Sequence, residues 1–188
     1  MVMSARPRLQ QNKKGRLRRG LTAAEISGLR PLFGEVLGYG DVRVHRGAGL
    51  NPLAMIAFIN GNPAIALGRH IHIAAALYRD DYAPDREAFG HFIVHEAVHV
   101  WQWASGRFNP LVYLWQYNTR PGHGYDIAAV TAESRFDGLG YDQQAEVARH
   151  YFIGECNGDP ARRARAAQLR PVLVQALPLA GRRDASFV

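Results

Sequence analysis

The sequence predicts an α+β domain in which a small antiparallel or mixed sheet comes before the helices that carry the functional residues. Three observations support this prediction. Short segments with strand-like composition lie in the first half of the chain. A long apolar segment from Arg86 to Ala104 then has the length and composition of a buried helix. Further helical segments follow it, and this order of strands and helices is typical of α+β domains.

The first helix is expected to begin at Thr22, because Thr22 and Glu25 have the spacing of a capping box. Pro31 is expected to break or restart this helix, since proline lacks the backbone N–H that an interior helical position uses. A half-buried strand is predicted at Asp41–His45, where apolar and polar residues alternate.

A β-hairpin is predicted next. Its two β-capable runs are residues 53–59 and 64–67, and the sequence NGNP at residues 60–63 between them is a turn signal. A further short strand is predicted at Ile71–Ile73. The histidines in and beside this last strand are interpreted as ordinary strand-face residues rather than as ligands.

The long apolar helix has a start and a stop signal. Asp85 can cap its first turn, and Ser105-Gly106 can end it. Its two tryptophans, Trp101 and Trp103, are expected in the core, as is Trp115 in the aromatic-rich segment that follows.

Two more helices are predicted near the end of the chain. One spans residues 142–156, and an arginine-rich helix spans residues 161–176 with an interruption near Pro171. Residues 119–124 have the composition of a loop.

The positive charge is concentrated at the amino terminus. The chain has 188 residues and a formal net charge of +7. Residues 1–20 hold seven of the 23 lysines and arginines and no acidic residue, which leaves 16 basic against 16 acidic residues elsewhere. We expect residues 1–20 to be a disordered basic tail and residues 21–188 to be one domain. The tail has no interleaved aromatic residues, so nucleic-acid binding is not its expected role.

The composition argues against several classes of protein. One cysteine, Cys156, leaves no internal disulfide framework and no cysteine-rich zinc site. No apolar run approaches the length of a membrane span. The first twenty residues are basic and no hydrophobic segment follows them, so a secretory signal peptide is not expected. We therefore expect synthesis in the cytoplasm, with any export by another route.

Residues 95–99 read His-Glu-Ala-Val-His, the pattern HExxH. On a helix, residues four apart share a face, so His95 and His99 can bind one metal ion together. Glu96 stands beside the first histidine, where a carboxylate can take a proton from a metal-bound water. The pattern predicts Zn²⁺ as the cofactor, His95 and His99 as ligands, Glu96 as the catalytic base, and metal-assisted hydrolysis as the reaction.

The third metal ligand must come from elsewhere, because a catalytic zinc normally has three protein ligands. Ser105 stands six residues after His99, where some zinc peptidases have their third histidine. Asp142 and Glu146 are spaced by four on the predicted second helix and share one of its faces. Both are candidate ligands. Glu133, the other nearby acid, is interpreted as a loop carboxylate.

Several segments between Thr22 and Phe152 carry a family resemblance. They resemble the zincin-like metallopeptidases of the gluzincin kind, and more closely the bacterial Vgr-related proteins, which are domains or companions of type VI secretion spike proteins. The segments are Leu21-Thr22 with Glu25, Phe33-Gly34, Val42-Arg-Val-His45, His95-Glu-Ala-Val-His-Val-Trp-Gln102, and Gln143-Gln-Ala-Glu146 with Tyr151-Phe152.

The resemblance implies a zincin-like fold and a zinc metalloendopeptidase. It also implies an effector or toxin role in bacterial secretion, with a protein or peptide as substrate and a secretion spike protein as partner. Related patterns place the metal ligand at the first acid of the second helix and an acid that orients a histidine four residues later. This would make Asp142 the ligand and Glu146 the orienting residue.

One departure from the family bears on this assignment. The family usually has glutamate where this chain has Asp142, and aspartate is shorter by one methylene. Glu146 therefore remains an alternative ligand. The departure also keeps open a non-enzymatic alternative, a zincin-fold adaptor or cargo module of a spike protein whose metal is structural or lost. The intact Glu96 favours the enzyme, since a structural site needs no general base.

Catalysis would also require a hydrogen-bond donor near the developing oxyanion. Tyr125, His123 and His150 are candidates by residue type and by their position after the motif. The simpler interpretation of each of them is structural.

Overall fold

The computed structural model describes residues 17–119, 124–156 and 158–180. Over these residues the chain is an α+β structure with a small mixed sheet, and most of its helices follow the sheet. The predicted fold class is confirmed at this level. Residues 1–16 of the predicted tail and His123 of the predicted loop lie outside the described residues. No described helix has the length and the hydropathy that a membrane span needs.

The sheet has four short strands in the order β1-β2-β4-β3. β2 pairs with β1 in the antiparallel sense and with β4 in the parallel sense, and β4 pairs with β3 in the antiparallel sense. β3 is therefore an edge strand. The strands are β1 (Arg18–Arg19), β2 (Arg43–Arg46), β3 (Ala64–Leu67) and β4 (His70–Ile73).

Helices lie between and after these strands in the chain. The longest apolar helix is continuous from residue 86 to residue 104, but its middle part is π-helical. The helices are α1 (Ala23–Phe33), α2 (Pro52–Ile59), α3 (Arg86–Ala88), the π segment (Phe89–Val94), α4 (His95–Ala104), α5 (Pro110–Thr119), α6 (Tyr141–Cys156) and α7 (Pro160–Leu173).

The predicted hairpin is wrong in its first half. Residues 52–59 form the helix α2, whose start is capped by Asn51, because the Asn51 side chain accepts hydrogen bonds from the backbone N–H groups of Leu53 and Ala54. Pro52 occupies the first helical position, which proline favours. A short apolar run fits a helix or a strand equally well, and the asparagine–proline start decides for the helix. The strand at Ala64–Leu67 is confirmed.

The two predicted proline interruptions are also wrong. Pro31 lies inside α1 and Pro171 lies inside α7, and each helix ends two residues later. A proline this close to the carboxyl end lies in the last turn, so little of the helix remains after it. In α1 the burial of Leu32 and Phe33 favours completing the last turn. The chain then turns at Gly34, which has a positive φ of 51°.

Only part of the tryptophan prediction is correct. Trp101 packs in the core with 5% of its surface exposed. Trp103 is 37% exposed and Trp115 is 57% exposed, so neither is a core residue. Trp103 lies in the last turn of α4, where the helix leaves the core.

The predicted boundary of the tail is too late, because Arg18 and Arg19 pair with β2. Arg19 donates hydrogen bonds of 2.6 and 2.7 Å to the two carboxylate oxygens of Glu25, whose side chain is fully buried. Glu25 also accepts from the backbone N–H groups of Thr22 and Tyr82. One buried carboxylate thus joins β1, the capping box of α1 and the segment before α3.

Close packing of glycines sets the distances between the helices near the site. A Cβ atom on Gly90 of the π segment would lie 2.8 Å from Cγ1 of Ile153 in α6. A Cβ atom on Gly154 would lie 2.6 Å from Cβ of Ala166 in α7. These two glycines allow the π segment and α7 to approach α6 from two sides. α4, which continues the π segment, packs between β3 and α6.

Replacing Glu25 with glutamine should lower the free energy of unfolding by about 3–5 kcal/mol, because it breaks a buried ion pair. Urea denaturation followed by circular dichroism measures the change. Glu35→Gln is the matched control, since Glu35 forms an exposed ion pair with Arg30; it should cost less than about 1 kcal/mol. Equal losses in the two variants would contradict this role of Glu25.

Candidate metal centre

Three side chains from two helices form a group that could hold a metal ion. They are His95 and His99 of α4 and Asp142 of α6, and their ligand atoms all lie within 4.8 Å of one another. The Nε2 atoms of the two histidines are 3.2 Å apart, and Nε2 of His99 is 3.4 Å from Oδ1 of Asp142. The structure thus brings together the predicted histidine pair and one of the two predicted acids.

Glu146, the other predicted acid, holds the back of His95. Its Oε1 lies 2.9 Å from Nδ1 of His95, and its Oε2 accepts hydrogen bonds from Nε and Nη2 of Arg149 at 3.0 and 2.5 Å. Burial works against ionisation of Glu146, but the hydrogen bonds and charges of His95 and Arg149 outweigh it and lower the pKa of this carboxyl. An ionised Glu146 accepts the Nδ1 proton of His95, which leaves Nε2 of His95 facing the metal group.

Two glutamines orient His99 in the same way. Oε1 of Gln102 lies 2.8 Å from Nδ1 of His99 and accepts its proton. The amide of Gln102 is fixed in turn, because its Nε2 donates to Oε1 of Gln144 and to the carbonyl oxygen of Tyr141. Gln144 donates to further carbonyl oxygens of the loop before α6. Nε2 of His99 is therefore also directed into the group.

A positive charge belongs between these side chains. Two acceptor nitrogens 3.2 Å apart repel each other unless a cation or a proton lies between them. Burial alone would lower the pKa of His99, but its hydrogen bond to Asp142 and the charges of Glu96 and Asp142 raise it to about 9. In the metal-free chain a proton on His99 thus supplies the positive charge that a metal ion would supply. This donor set fits a divalent cation.

Glu96 lies beside this group and is buried. Its Oε2 has no hydrogen-bond partner among the described residues, while the backbone N–H of Ala66 in β3 bonds to the carboxylate. Burial raises the pKa of Glu96, and the nearby histidines act in the opposite direction. A buried carboxylate with a free oxygen is suited to accept a proton from a water molecule held next to it.

His95, Glu96, His99 and Asp142 line an open cleft. Its walls are the edge strand β3, the start and end of α4, and aromatic side chains from the end of α4 and the segments that follow it. The aromatic residues are Trp103, Phe108, Tyr113 and Tyr125. The ring of Tyr125 stacks on the ring of His95, with 5.9 Å between centroids and 24° between planes.

The remaining candidates from the sequence lie elsewhere. His150 does not line the cleft; its Nε2 is 3.6 Å from Oε2 of Glu146, on the far side of that carboxylate. Glu133 lies in a turn and is not part of the metal group. The histidines of the sheet interact with one another: Nε2 of His45 lies 2.9 Å from Nδ1 of His70, and neither residue belongs to the metal group.

Sequence reasoning missed the residues that support the ligands. Gln102, Gln144 and Arg149 were not assigned roles in the site, although Gln102 and Arg149 each follow a site residue by three positions on the same helix. A polar side chain at such a spacing inside an apolar helix is a usable signal, because a buried amide needs hydrogen-bond partners. The contact from Ala66 to Glu96 has no such signal.

The metal-free protein should lose stability as the pH rises from 6.5 to about 9. The pKa of His99 is raised from its ordinary 6.5 to about 9 in the folded chain. Protonation of His99 therefore stabilises the fold fully below pH 6.5, and this contribution disappears as the pH passes 9. Thermal denaturation in the presence of a chelator measures the effect. His99→Gln removes the titrating group and should flatten the profile; parallel profiles for the two proteins would contradict the assignment.

Comparisons of this chain with protein-family models, with curated proteins and with solved structures found no match. The geometry of the metal group and of its cleft is therefore the basis for a functional assignment.

Proposed function

We propose that this protein is a zinc-dependent hydrolase of peptide bonds with a zincin-like fold. One observation carries the proposal: the buried carboxylate of Glu96, with one oxygen free, lies next to the ligand group of His95, His99 and Asp142 at the bottom of an open cleft. A site that only stabilises the fold needs neither a free carboxylate nor an open cleft.

Asp142 is the third ligand in this proposal. Its Oδ1 lies within reach of Nε2 of His99, whereas both oxygens of Glu146 are engaged by His95 and Arg149. Glu146 then orients His95, and Gln102 orients His99. Orientation of both ligands through their second ring nitrogens is what metal-binding histidines usually show.

Zinc suits this set of two imidazoles and one carboxylate. A bound zinc ion polarises a carbonyl group and lowers the pKa of water, so that water becomes a nucleophile at neutral pH. Glu96 accepts the proton of the attacking water and delivers it to the departing amine. Its raised pKa favours this second role, because a carboxyl with a raised pKa retains the accepted proton until the amine can take it.

The edge strand supports a peptide as the substrate. The backbone N–H of Ala74 donates to the carbonyl oxygen of Pro63. In an antiparallel pair the hydrogen-bonded residues alternate, so Ile65 and Leu67 of β3 are the residues that bond to β4. The backbone groups of Ala64 and Ala66 consequently point away from β4, and Ala66 reaches Glu96. An extended peptide can pair with the remaining groups of this edge and pass beside the metal group.

We assign Tyr125 a supporting role in the reaction. Its ring stacks on His95, and burial together with the charges of Asp142 and Glu96 raises the pKa of its hydroxyl. The hydroxyl therefore stays protonated and can donate a hydrogen bond to an oxyanion that forms over the metal group.

The sequence resemblance to Vgr-related proteins supports a secretion effector as the biological setting. In that setting a spike protein carries the enzyme out of the bacterial cell, and the substrate is a protein met after delivery. The peptidase activity and the delivery are separate parts of the proposal.

The function is tested with metal analysis and a proteolysis assay on a proteome-derived peptide mixture. Glu96→Gln should retain one zinc ion per chain and lose about a thousandfold in rate, because it removes only the base. Asp142→Ala should lose the metal, and Glu146→Gln should weaken metal affinity about 10–100-fold. His70→Ala is the matched control, a histidine change outside the metal group that should leave both properties unchanged.

Two results would contradict the proposal. Wild-type protein that takes up no zinc at saturation would rule out the metal centre. Stoichiometric zinc without any cleavage of the peptide mixture would favour the zincin-fold adaptor. Retention of zinc by Asp142→Ala, with its loss in Glu146→Gln, would exchange the assigned roles of the two acids.

Replacement of Tyr125 by phenylalanine should lower kcat about 100-fold and leave metal content unchanged, because it removes one donor to the oxyanion. The stacked ring remains, so KM should change little. Steady-state kinetics on a cleaved peptide measures both constants. An unchanged kcat would show that Tyr125 only packs against His95.

A further inference from the structure

A second cavity lies between α6 and α7, away from the metal cleft. Its volume is about 370 Å³, within the range of small-molecule sites. Five charged or polar residues line this α6/α7 cavity, and none of them lines the metal cleft. They are Glu87, Arg149, His150, Arg162 and Arg165.

Backbone packing fixes the position of the arginines. Gly154 has no side chain, which lets α7 approach α6 so closely that a Cβ atom there would clash with the backbone carbonyl of Arg162. Arg165 is held by hydrogen bonds from Nη1 to the carbonyl oxygen of Val130 and from Nη2 to that of Ile127. The helix packing and the bonds of Arg165 therefore shape one wall of the cavity, while the exposed side chains of Arg162 and Glu87 form its solvent side.

Positive charge predominates among the side chains that line the cavity. Three arginines face one glutamate among the residues that line it. Arg149 is paired with Glu146, and Arg162 is paired with Glu87 and, at 3.9 Å, with Asp159. Arg165 forms no ion pair within the part of the chain that the structure describes, since it donates to the neutral oxygens of Val130, Ile127 and Gln168. Its full charge is thus available to a ligand.

His150 adds a hydrogen-bond donor to this charge. Nη2 of Arg149 donates to Nε2 of His150 at 3.0 Å, so the proton of the neutral ring is on Nδ1. Burial, together with the charges of Arg149, Arg165 and Arg162, lowers the pKa of His150. Three cations close enough to act on one imidazole produce a positive potential that attracts an anion.

We propose that the α6/α7 cavity binds a small oxyanion of the phosphate class, held by Arg162, Arg165 and His150. Guanidinium groups bind the oxygens of phosphate through paired, charge-assisted hydrogen bonds. Glu87 competes with the anion for Arg162, since it pairs with the same guanidinium. Arg149 also pairs with Glu146 beside the metal group, but the proposed anion binding requires neither the metal nor hydrolysis.

Calorimetric titration of the metal-free full chain with inorganic phosphate, and separately with glycerol phosphate, tests the proposal at constant ionic strength. Arg162→Gln should weaken phosphate binding about tenfold, because it removes a charged donor. Glu87→Gln should tighten binding about threefold, because it removes the competing carboxylate. Two neighbouring changes with opposite effects cannot both result from misfolding. Tighter binding of glycerol phosphate than of inorganic phosphate would identify a phosphate ester as the natural ligand, and the reverse would identify the free ion.

The absence of binding of both probes at millimolar concentration would overturn the proposal. Phosphate binding that neither Arg162→Gln nor Glu87→Gln changes but that His99→Ala abolishes would also overturn it. The anion would then occupy the metal group rather than the α6/α7 cavity. His99→Ala should otherwise bind phosphate as the wild type does. Melting temperatures of the variants show whether each one is folded.

Discussion

The hydrogen bond between His95 and Glu146 connects the two helices on which the site is built. It spans from α4 to α6, both of its side chains are buried, and Arg149 supplies the charge that keeps Glu146 ionised. Without this bond the ring of His95 could rotate about its side-chain torsions, and its second nitrogen would no longer meet His99 and Asp142. The metal group depends first on this contact and only then on the ligands themselves.

Charge balance explains why the site favours a cation. Glu96, Asp142 and Glu146 bring three carboxyl groups into one region that is largely shielded from water. Arg149 compensates for Glu146, which leaves the other two acids beside the two imidazoles. A proton on His99 compensates in part, and a divalent ion would compensate for both acids. The capacity to hold a metal ion and the raised pKa of Glu96 thus have one common origin, the burial of acidic groups beside two imidazoles.

The sequence predicted the part of the site that local spacing determines. The histidine pair follows from helical periodicity, because residues four apart share a face whatever surrounds them, and Glu96 follows from the HExxH pattern. The same rule could not separate Asp142 from Glu146, since both lie on one face of α6 and differ only in their height along the helix. Their roles depend on how α6 packs against α4, and that packing is set by contacts such as Gly90 against Ile153, which are distant in the sequence. The burial of Arg19 on Glu25 was missed for the same reason.

The π-helical segment before His95 has a consequence for how this chain can vary. In an α-helix each residue turns the helix by about 100°, whereas a π-helical stretch closes its hydrogen bonds over one residue more. The direction in which His95 and His99 project is therefore set by the number of residues from Phe89 to Val94 as well as by their packing. Exchange of side chains within that segment does not change the direction in which the two histidines project. A change in its length by one residue would rotate the whole ligand face out of line with α6, so length is under a stricter constraint there than composition.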